Sequence, residues 1–211
     1  MLIGFALGIG NGLSIVIARA YGAGDKKLLK RSVAASLVIG LVVTMIIMIF
    51  SKIFLYPLLK VLHTPANIIE ESYSYISTIT IFVGVMFAYN LLAGLLRAIG
   101  NSLMPLVFLI ISSVINVILD LVFIGKFNMG IKGAAVATVI AQGISAVLCL
   151  IYIVKKCKIL IPDKNCFKLD RGLYGELVGQ GLSMGFMMSI VSAGTIILQS
   201  AINSLGYLII A

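Results

Sequence analysis

Charged residues are scarce in this sequence: they make up 11% of its 211 residues, whereas 61% are hydrophobic. Soluble domains carry about 25% charged residues, so this composition excludes an ordinary soluble globular domain. The spacing of the 3 cysteines matches no zinc site. A nucleophile elbow, a phosphate loop and a dinucleotide fingerprint are also missing, so nothing in the sequence supports an enzyme. No charged segment precedes the first apolar run, so we expect no signal peptide.

The hydrophobic residues are concentrated in six long blocks that short charged stretches separate. A helix that crosses a membrane needs roughly 20 apolar residues, and each block is about that long. The blocks are 1–18, 33–51, 74–96, 103–124, 133–154 and 182–203. We therefore predict an all-α fold, a polytopic bundle of about six transmembrane helices.

The net charge of +9 comes from lysines and arginines that lie between the apolar blocks. Three alternate connections hold twelve of these residues, and the other two hold four. By the positive-inside rule, the first set of connections is predicted to be cytoplasmic. Membrane topology therefore explains the basic charge, and we expect no nucleic-acid partner.

Two apolar stretches are not predicted to span. The segment 53–63 is short and contains Pro57, so we expect it at the outer interface. The segment 170–181, capped by Asp170, is expected to be an amphipathic helix on the inner surface.

The lysine-rich segment 155–181 is the best internal boundary in the chain. It divides the chain into three predicted parts: helices of one lobe at 1–154, a cytoplasmic linker at 155–181, and the first helix of a second lobe at 182–211. The chain begins and ends in apolar sequence, so we expect it to be a fragment.

Asp120 is an acidic residue well inside a predicted span, in the stretch SSVINVILDLVFIGK. Asn116 lies one helical turn before it, and Thr138 and Gln142 have the same spacing in the fifth block. If these faces meet Asn90 of the third block, then Asn90, Asn116, Asp120 and Thr138 form a pocket of oxygens around one carboxylate. An acid within a membrane span is usually functional because its burial is costly.

Two chemistries suit such a pocket. A carboxyl group kept from water can have its pKa raised by several units, so it could exchange a proton near neutral pH. Carboxylate, amide and hydroxyl oxygens also suit a hard cation such as Na⁺. The alternative is structural: Asp120 could reach water at the outer end of its helix, and Asn90 and Thr138 could serve only helix packing.

Four motifs follow or close predicted helices in order. They are IARAYGAGD (17–25), LLRAIGNSLMPL (95–106), INVILDLVFI (115–124) and LQSAINSLG (198–206). With these motifs the chain resembles the multidrug and toxic-compound extrusion family of cation-coupled antiporters.

The resemblance implies a part of a larger fold. Members of this family have twelve transmembrane helices in two lobes of six, and this chain resembles helices two to seven. The family's cation site corresponds here to Asn90, Asn116, Asp120 and Thr138. It also uses an aspartate on helix one, which has no counterpart in this chain.

The resemblance implies a multi-pass protein of the cell membrane that exports drug-like, often cationic, organic compounds in exchange for H⁺ or Na⁺. Its expected partners are membrane lipid and these small substrates, and no cofactor is expected beyond the coupling ion. Two alternatives remain: a flippase for a lipid-linked precursor, from the same superfamily, and a truncated fragment without transport function.

Overall fold

The structure, a computed structural model, describes residues 2–61, 83–127, 129–167 and 170–204. These residues form six α-helices and no strand, which confirms the predicted all-α class. The helices are α1 (Leu2–Gly22), α2 (Lys26–Val61), α3 (Val83–Ala98), α4 (Leu103–Asp120), α5 (Gly130–Lys156) and α6 (Arg171–Ser204). Residues 74–82 of the third predicted span and 205–211 of the last predicted part lie outside the described residues.

Five of these helices contain segments that are long and apolar enough to cross a membrane. The exception is α3, whose described part is a shorter apolar helix. A π-helical turn, Leu121–Lys126, extends α4 to the end of its apolar segment. Five of the six predicted spans therefore correspond to helices of spanning length, and the third, 74–96, is described only from Val83 onward.

The structure corrects two predicted boundaries. The helix α2 continues through Pro57 to Val61, so 53–61 is not a separate interfacial segment; 62–63 lie outside the described residues. A proline removes one backbone donor from a helix but does not always end it. The helix α6 runs without a break from Arg171, so 170–181 is not a separate surface helix.

The helices pack in the order α6, α1, α3, α5 and α4, and α2 lies against both α1 and α3. The central position of α1 agrees with its burial, since Leu13, Val16 and Ile17 are almost completely buried. By contrast, α4 exposes most of its apolar side chains, as expected for a helix at the edge of a bundle in lipid.

Glycines on one face of α1 bring α6 into backbone contact. Gly4, Gly8 and Gly12 recur every four residues, so they form one strip along the helix. A β-carbon at Gly8 would lie 2.7 Å from Gly185 Cα, and one at Gly12 would lie 2.7 Å from Gly181 Cα. The two backbones thus approach so closely that no larger side chain fits between them.

Acidic side chains of the segment that leads into α6 and of the first turns of α6 pair with basic side chains near the α1–α2 turn. Arg19 pairs with Glu176. Lys30 Nζ lies 2.8 Å from an Asp163 carboxylate oxygen, and Arg31 Nη2 lies 3.1 Å from one of Asp170. Asp170 also caps α6, because its Oδ1 accepts bonds from the Gly172 and Leu173 N–H groups.

The same connecting segment is anchored by apolar contacts. Leu160 is buried in a cluster that contains residues of α1, α2, α3 and α5. Cys157 joins this cluster, and burial raises the pKa of its thiol above the usual value. Cys149, Cys157 and Cys166 are all free thiols. Ion pairs and apolar packing together fix the connection to the first three helices and α5.

Candidate cation-binding site

Hydrogen bonds between serines and backbone carbonyls join α4 to α5. Ser112 Oγ donates to the Ala141 carbonyl at 2.9 Å, and Ser145 Oγ donates to the Phe108 carbonyl at 3.0 Å. The residue with the higher number on α4, Ser112, pairs with the residue with the lower number on α5, Ala141. The two helices are therefore antiparallel. These bonds fix the register in which the polar side chains of the two helices meet.

Asn116 and Thr138 meet in this register. Asn116 Nδ2 donates to Thr138 Oγ1 across a distance of 3.5 Å, which is long for a hydrogen bond. The Thr138 hydroxyl donates in turn to the Ala134 carbonyl of its own helix at 3.0 Å. The threonine hydroxyl is therefore oriented by its backbone bond, and its oxygen faces α4.

Asp120 lies one turn beyond Asn116, about 6 Å further along the helix axis. Its Oδ1 is buried and has no hydrogen-bond partner. No salt bridge within the described part of the chain involves its carboxylate. Buried polar atoms in proteins are nearly always hydrogen-bonded, so this unpartnered carboxylate oxygen makes Asp120 the candidate for a site that takes up an external proton or cation.

Asp120 is also the last residue of regular α-helix in α4. The chain continues as the π-helical turn Leu121–Lys126, in which the Phe127 N–H bonds to the Val122 carbonyl at 3.1 Å. A β-carbon at Gly133 would lie 3.1 Å from Phe123 Cβ, so the start of α5 packs closely against this turn. Single π-helical turns within α-helices occur frequently at functional sites.

Asn90 is placed differently from the other three predicted residues. Its Nδ2 donates to the Met86 carbonyl of its own helix at 2.9 Å, and its Cβ faces Gly10 of α1. Within the described helices, no hydrogen bond joins Asn90 to Asn116, Asp120 or Thr138. The structure thus groups Asn116, Asp120 and Thr138 along α4 and α5, and it places Asn90 at the α1–α3 contact.

Among the residues that the structure describes, three further side chains contain a buried oxygen without a hydrogen-bond partner: Ser32, Ser36 and Gln142. The serines lie within α2, whereas Gln142 lies on α5 one turn from Thr138. The spacing of Thr138 and Gln142 is visible in the sequence, but the sequence prediction of the site omitted Gln142. The sequence does not show that the Gln142 oxygen lacks a hydrogen-bond donor, because this depends on how the neighbouring helices pack.

The arrangement around Asp120 suits a small cation. Carboxylate and hydroxyl oxygens lie on the two adjacent helices α4 and α5, and the π-helical turn Leu121–Lys126 follows directly after Asp120. A proton on Asp120, or a Na⁺ held by these oxygens, would satisfy the orphan oxygen. Both chemistries predicted from the sequence remain compatible with this geometry.

Comparison with known proteins identifies the family of the chain. The sequence model of the MatE family matches residues 1–122. The probable multidrug resistance protein YoeA of Bacillus subtilis is 32% identical over 213 residues, which cover 98% of this chain and 46% of that protein. The multidrug export protein MepA of Staphylococcus aureus is 24% identical over 197 residues, which cover 90% of this chain and 43% of that protein.

The fold is similar to that of solved transporters. A crystal structure of MATE in complex with MaD3S superimposes with a TM-score of 0.86 at 23% identity, and the match covers 97% of this chain and 46% of that one. The chain spans about half the length of the curated relatives it matches. The family match over more than half of the chain, together with the bundle of apolar helices, shows that this membrane protein belongs to the MatE family, the multidrug and toxic-compound extrusion transporters.

Proposed function

We propose that this chain forms the cation-binding half of a cation-coupled antiporter that exports drug-like, often cationic, compounds across the cell membrane. The coupling ion, H⁺ or Na⁺, binds at Asp120 beside Asn116 and Thr138. The observation that carries the proposal is the buried Asp120 Oδ1, which has no hydrogen-bond partner. The relatives named as multidrug resistance and multidrug export proteins support the drug-efflux part of the proposal.

The proposed mechanism follows from the electrostatics of Asp120. An unpaired carboxylate at this depth is costly, and a bound cation removes that cost. The ion can drive transport only if it binds one conformation of the protein more tightly than the other. Binding at Asp120 would therefore favour the packing of α4 and α5 that buries the cation, and its loss would favour a more hydrated arrangement.

A lipid-linked precursor is a less suitable substrate. Flippases for such precursors are expected to present basic side chains that hold phosphate groups. The sequence has no lysine or arginine in Gly4–Ile17 of α1, in Leu103–Asp120 of α4 or in Gly172–Ser204 of α6. No observation on the described residues favours this alternative over drug export.

The substitution Asp120→Asn tests the proposal. The protein is expressed from its complete reading frame in a drug-sensitive bacterium, and the extrusion of a fluorescent organic cation is followed in energised cells. The variant keeps the shape of the side chain but cannot hold a proton or balance a cation. We expect it to reach the membrane in normal amounts and to lose ion-driven extrusion.

The matched control is Asp25→Asn, outside the membrane-spanning part of the chain. Asp25 Oδ1 accepts bonds from the Lys27 and Leu28 N–H groups at the start of α2, and asparagine caps a helix equally well. This control is expected to extrude at the wild-type rate. Normal extrusion by the Asp120→Asn protein would refute the assignment of the site.

A further inference from the structure

We propose that Gln142 is a second, deeper binding position for Na⁺, which the ion reaches from Asp120 through the Asn116–Thr138 pair. This inference rests on the proposed function, because it extends the path of the coupling ion inward. It assigns a role to a side chain that the site around Asp120 does not contain.

The first support is the state of the Gln142 side chain. Its Oε1 is buried and accepts no hydrogen bond. The Ser112 hydroxyl, which the register brings to the neighbouring residue Ala141, donates to the Ala141 carbonyl and not to Gln142. A buried amide oxygen without a donor costs free energy, so this position is ready to coordinate a cation.

The second support is depth in the membrane. The apolar segment of α5 extends from Lys132 to Lys156, and Gln142 lies near its middle. Ion sites of secondary transporters lie near the bilayer midplane. In the register of the α4–α5 hydrogen bonds, Gln142 and Asp120 are separated by about 13 Å along the helix axes. Two orphan oxygens therefore lie at two depths of one interface.

The third support is the continuity of polar groups between the two depths. Thr138 lies one turn, or about 6 Å, from Gln142 on the same face of α5 and contacts Asn116. On the other side, a β-carbon at Gly143 would lie 3.5 Å from Val85 of α3. Asn90 follows Val85 by five residues, or about 7.5 Å along α3. Because α3 and α5 both run from the outer to the inner side in the predicted topology, the depth of Gln142 along the helix axes lies between that of the Asn116–Thr138 pair and that of Asn90.

The chemistry of the amide separates the two candidate ions. A carboxylate such as Asp120 binds either a proton or Na⁺, whereas a glutamine side chain does not take up a proton near neutral pH. Its carbonyl oxygen is a ligand for hard cations. Gln142 is therefore predicted to affect the binding of Na⁺ and to leave protonation of Asp120 unchanged.

The test measures the binding of radioactive sodium to the purified protein, produced from its complete reading frame, and compares Gln142→Leu with the wild type. Leucine preserves the approximate volume and removes the oxygen, so we expect the affinity for Na⁺ to fall about tenfold or more. Gln142→Glu restores an oxygen ligand and is expected to bind Na⁺ at least as tightly as the wild type. Gln180→Leu makes the same change at an exposed position of α6 and is expected to have no effect.

The outcomes distinguish this inference from the proposed function. If Gln142→Leu binds Na⁺ as the wild type does while Asp120→Asn does not, the deeper position is refuted and the site at Asp120 stands. A wild-type protein that binds no Na⁺ also refutes the deeper position, and proton-driven extrusion would then preserve the proposed function. Thermal unfolding without Na⁺ checks that the leucine variant is folded, and the glutamate variant provides an independent test if it is not.

Discussion

At the scale of single residues, the α4–α5 interface contains two kinds of polar side chain. Ser112 and Ser145 donate to carbonyls of the opposite helix, so their bonds hold the two helices together. Asp120 and Gln142 each keep a buried oxygen without a donor. The first kind stabilises the fold, and the second kind leaves buried acceptors unsatisfied at a cost in stability.

Ser112 allows this distinction to be measured. The substitution Ser112→Ala removes a buried bond between helices, and such bonds in membrane proteins contribute about 0.6–1.7 kcal/mol. We expect a loss of unfolding free energy in that range in detergent. The adjacent Ser113 is exposed and bonds to the Leu109 carbonyl of its own helix, so Ser113→Ala is the control and should be nearly neutral.

Equal effects of the two serine substitutions would contradict this prediction. They would mean that the Ser112 bond to Ala141 does not hold α4 against α5, and the register that places Gln142 would lose its main support.

Part of the candidate site could be predicted from the sequence because it depends on local spacing. Asn116 and Asp120 share a face of α4, and Thr138 lies where α5 returns along that face. The position of Asn90 could not be predicted in this way, because it depends on how α3 packs against α1, which places Asn90 Cβ beside Gly10. The unpartnered oxygen of Gln142 could not be predicted for a similar reason, since an absent donor is a property of the packed helices.

At the scale of helices, the α1–α6 contact makes a sharp prediction for Gly12→Ala. A β-carbon there would overlap the Gln180 carbonyl and lie 2.7 Å from Gly181 Cα, and neither backbone atom can move alone. We expect a loss of about 1–3 kcal/mol of stability, as in other overpacked interfaces, measured by thermal unfolding in detergent.

Gly194→Ala on α6 is the control for this helix contact. Apart from its own stretch of helix, no atom of the described residues lies within 4 Å of the position that its β-carbon would occupy. Alanine is favoured over glycine inside a helix by roughly 0.5–1 kcal/mol, so this variant should be neutral or slightly more stable. An equal loss in both variants would contradict the close approach at Gly12.

The helices themselves could be predicted well from apolar block length, but two boundaries could not. Pro57 indicated an end that α2 does not have, because packing can hold a helix together through a proline. Asp170 was correctly predicted as a cap, yet the polar residues after it belong to the first turns of α6 itself. In both cases a proline or a run of polar residues was interpreted as the end of a spanning helix, although the helix continues through it.

At the scale of the whole molecule, ion pairs hold the predicted inter-lobe linker at 155–181 to the first two helices. Asn in place of both Asp163 and Asp170 would remove the pairs with Lys30 and Arg31, while asparagine at position 170 still caps α6. Exposed pairs contribute up to about 1 kcal/mol each. We therefore expect trypsin to cleave between Cys157 and Asp170 several-fold faster in the double variant.

The same experiment tests the predicted orientation. Trypsin should reach the linker in inside-out membrane vesicles and should not reach it in sealed right-side-out vesicles. The Asp25→Asn variant, which removes no ion pair, should be cleaved at the wild-type rate. Cleavage in right-side-out vesicles would reverse the topology inferred from the lysines and arginines.

The order of the helices in the bundle limits how a local event at Asp120 could spread. The helix that bears this carboxylate packs against α5 and α3, α3 packs against α1, and α1 packs against α6. Within the described residues, α1 makes the most extensive contact with α6, and α2 contacts both α3 and α6 as well. The glycine strip of α1 is in backbone contact with α6, so the two helices have little room to shift relative to each other. A tilt of α1 would consequently require α6 to tilt with it.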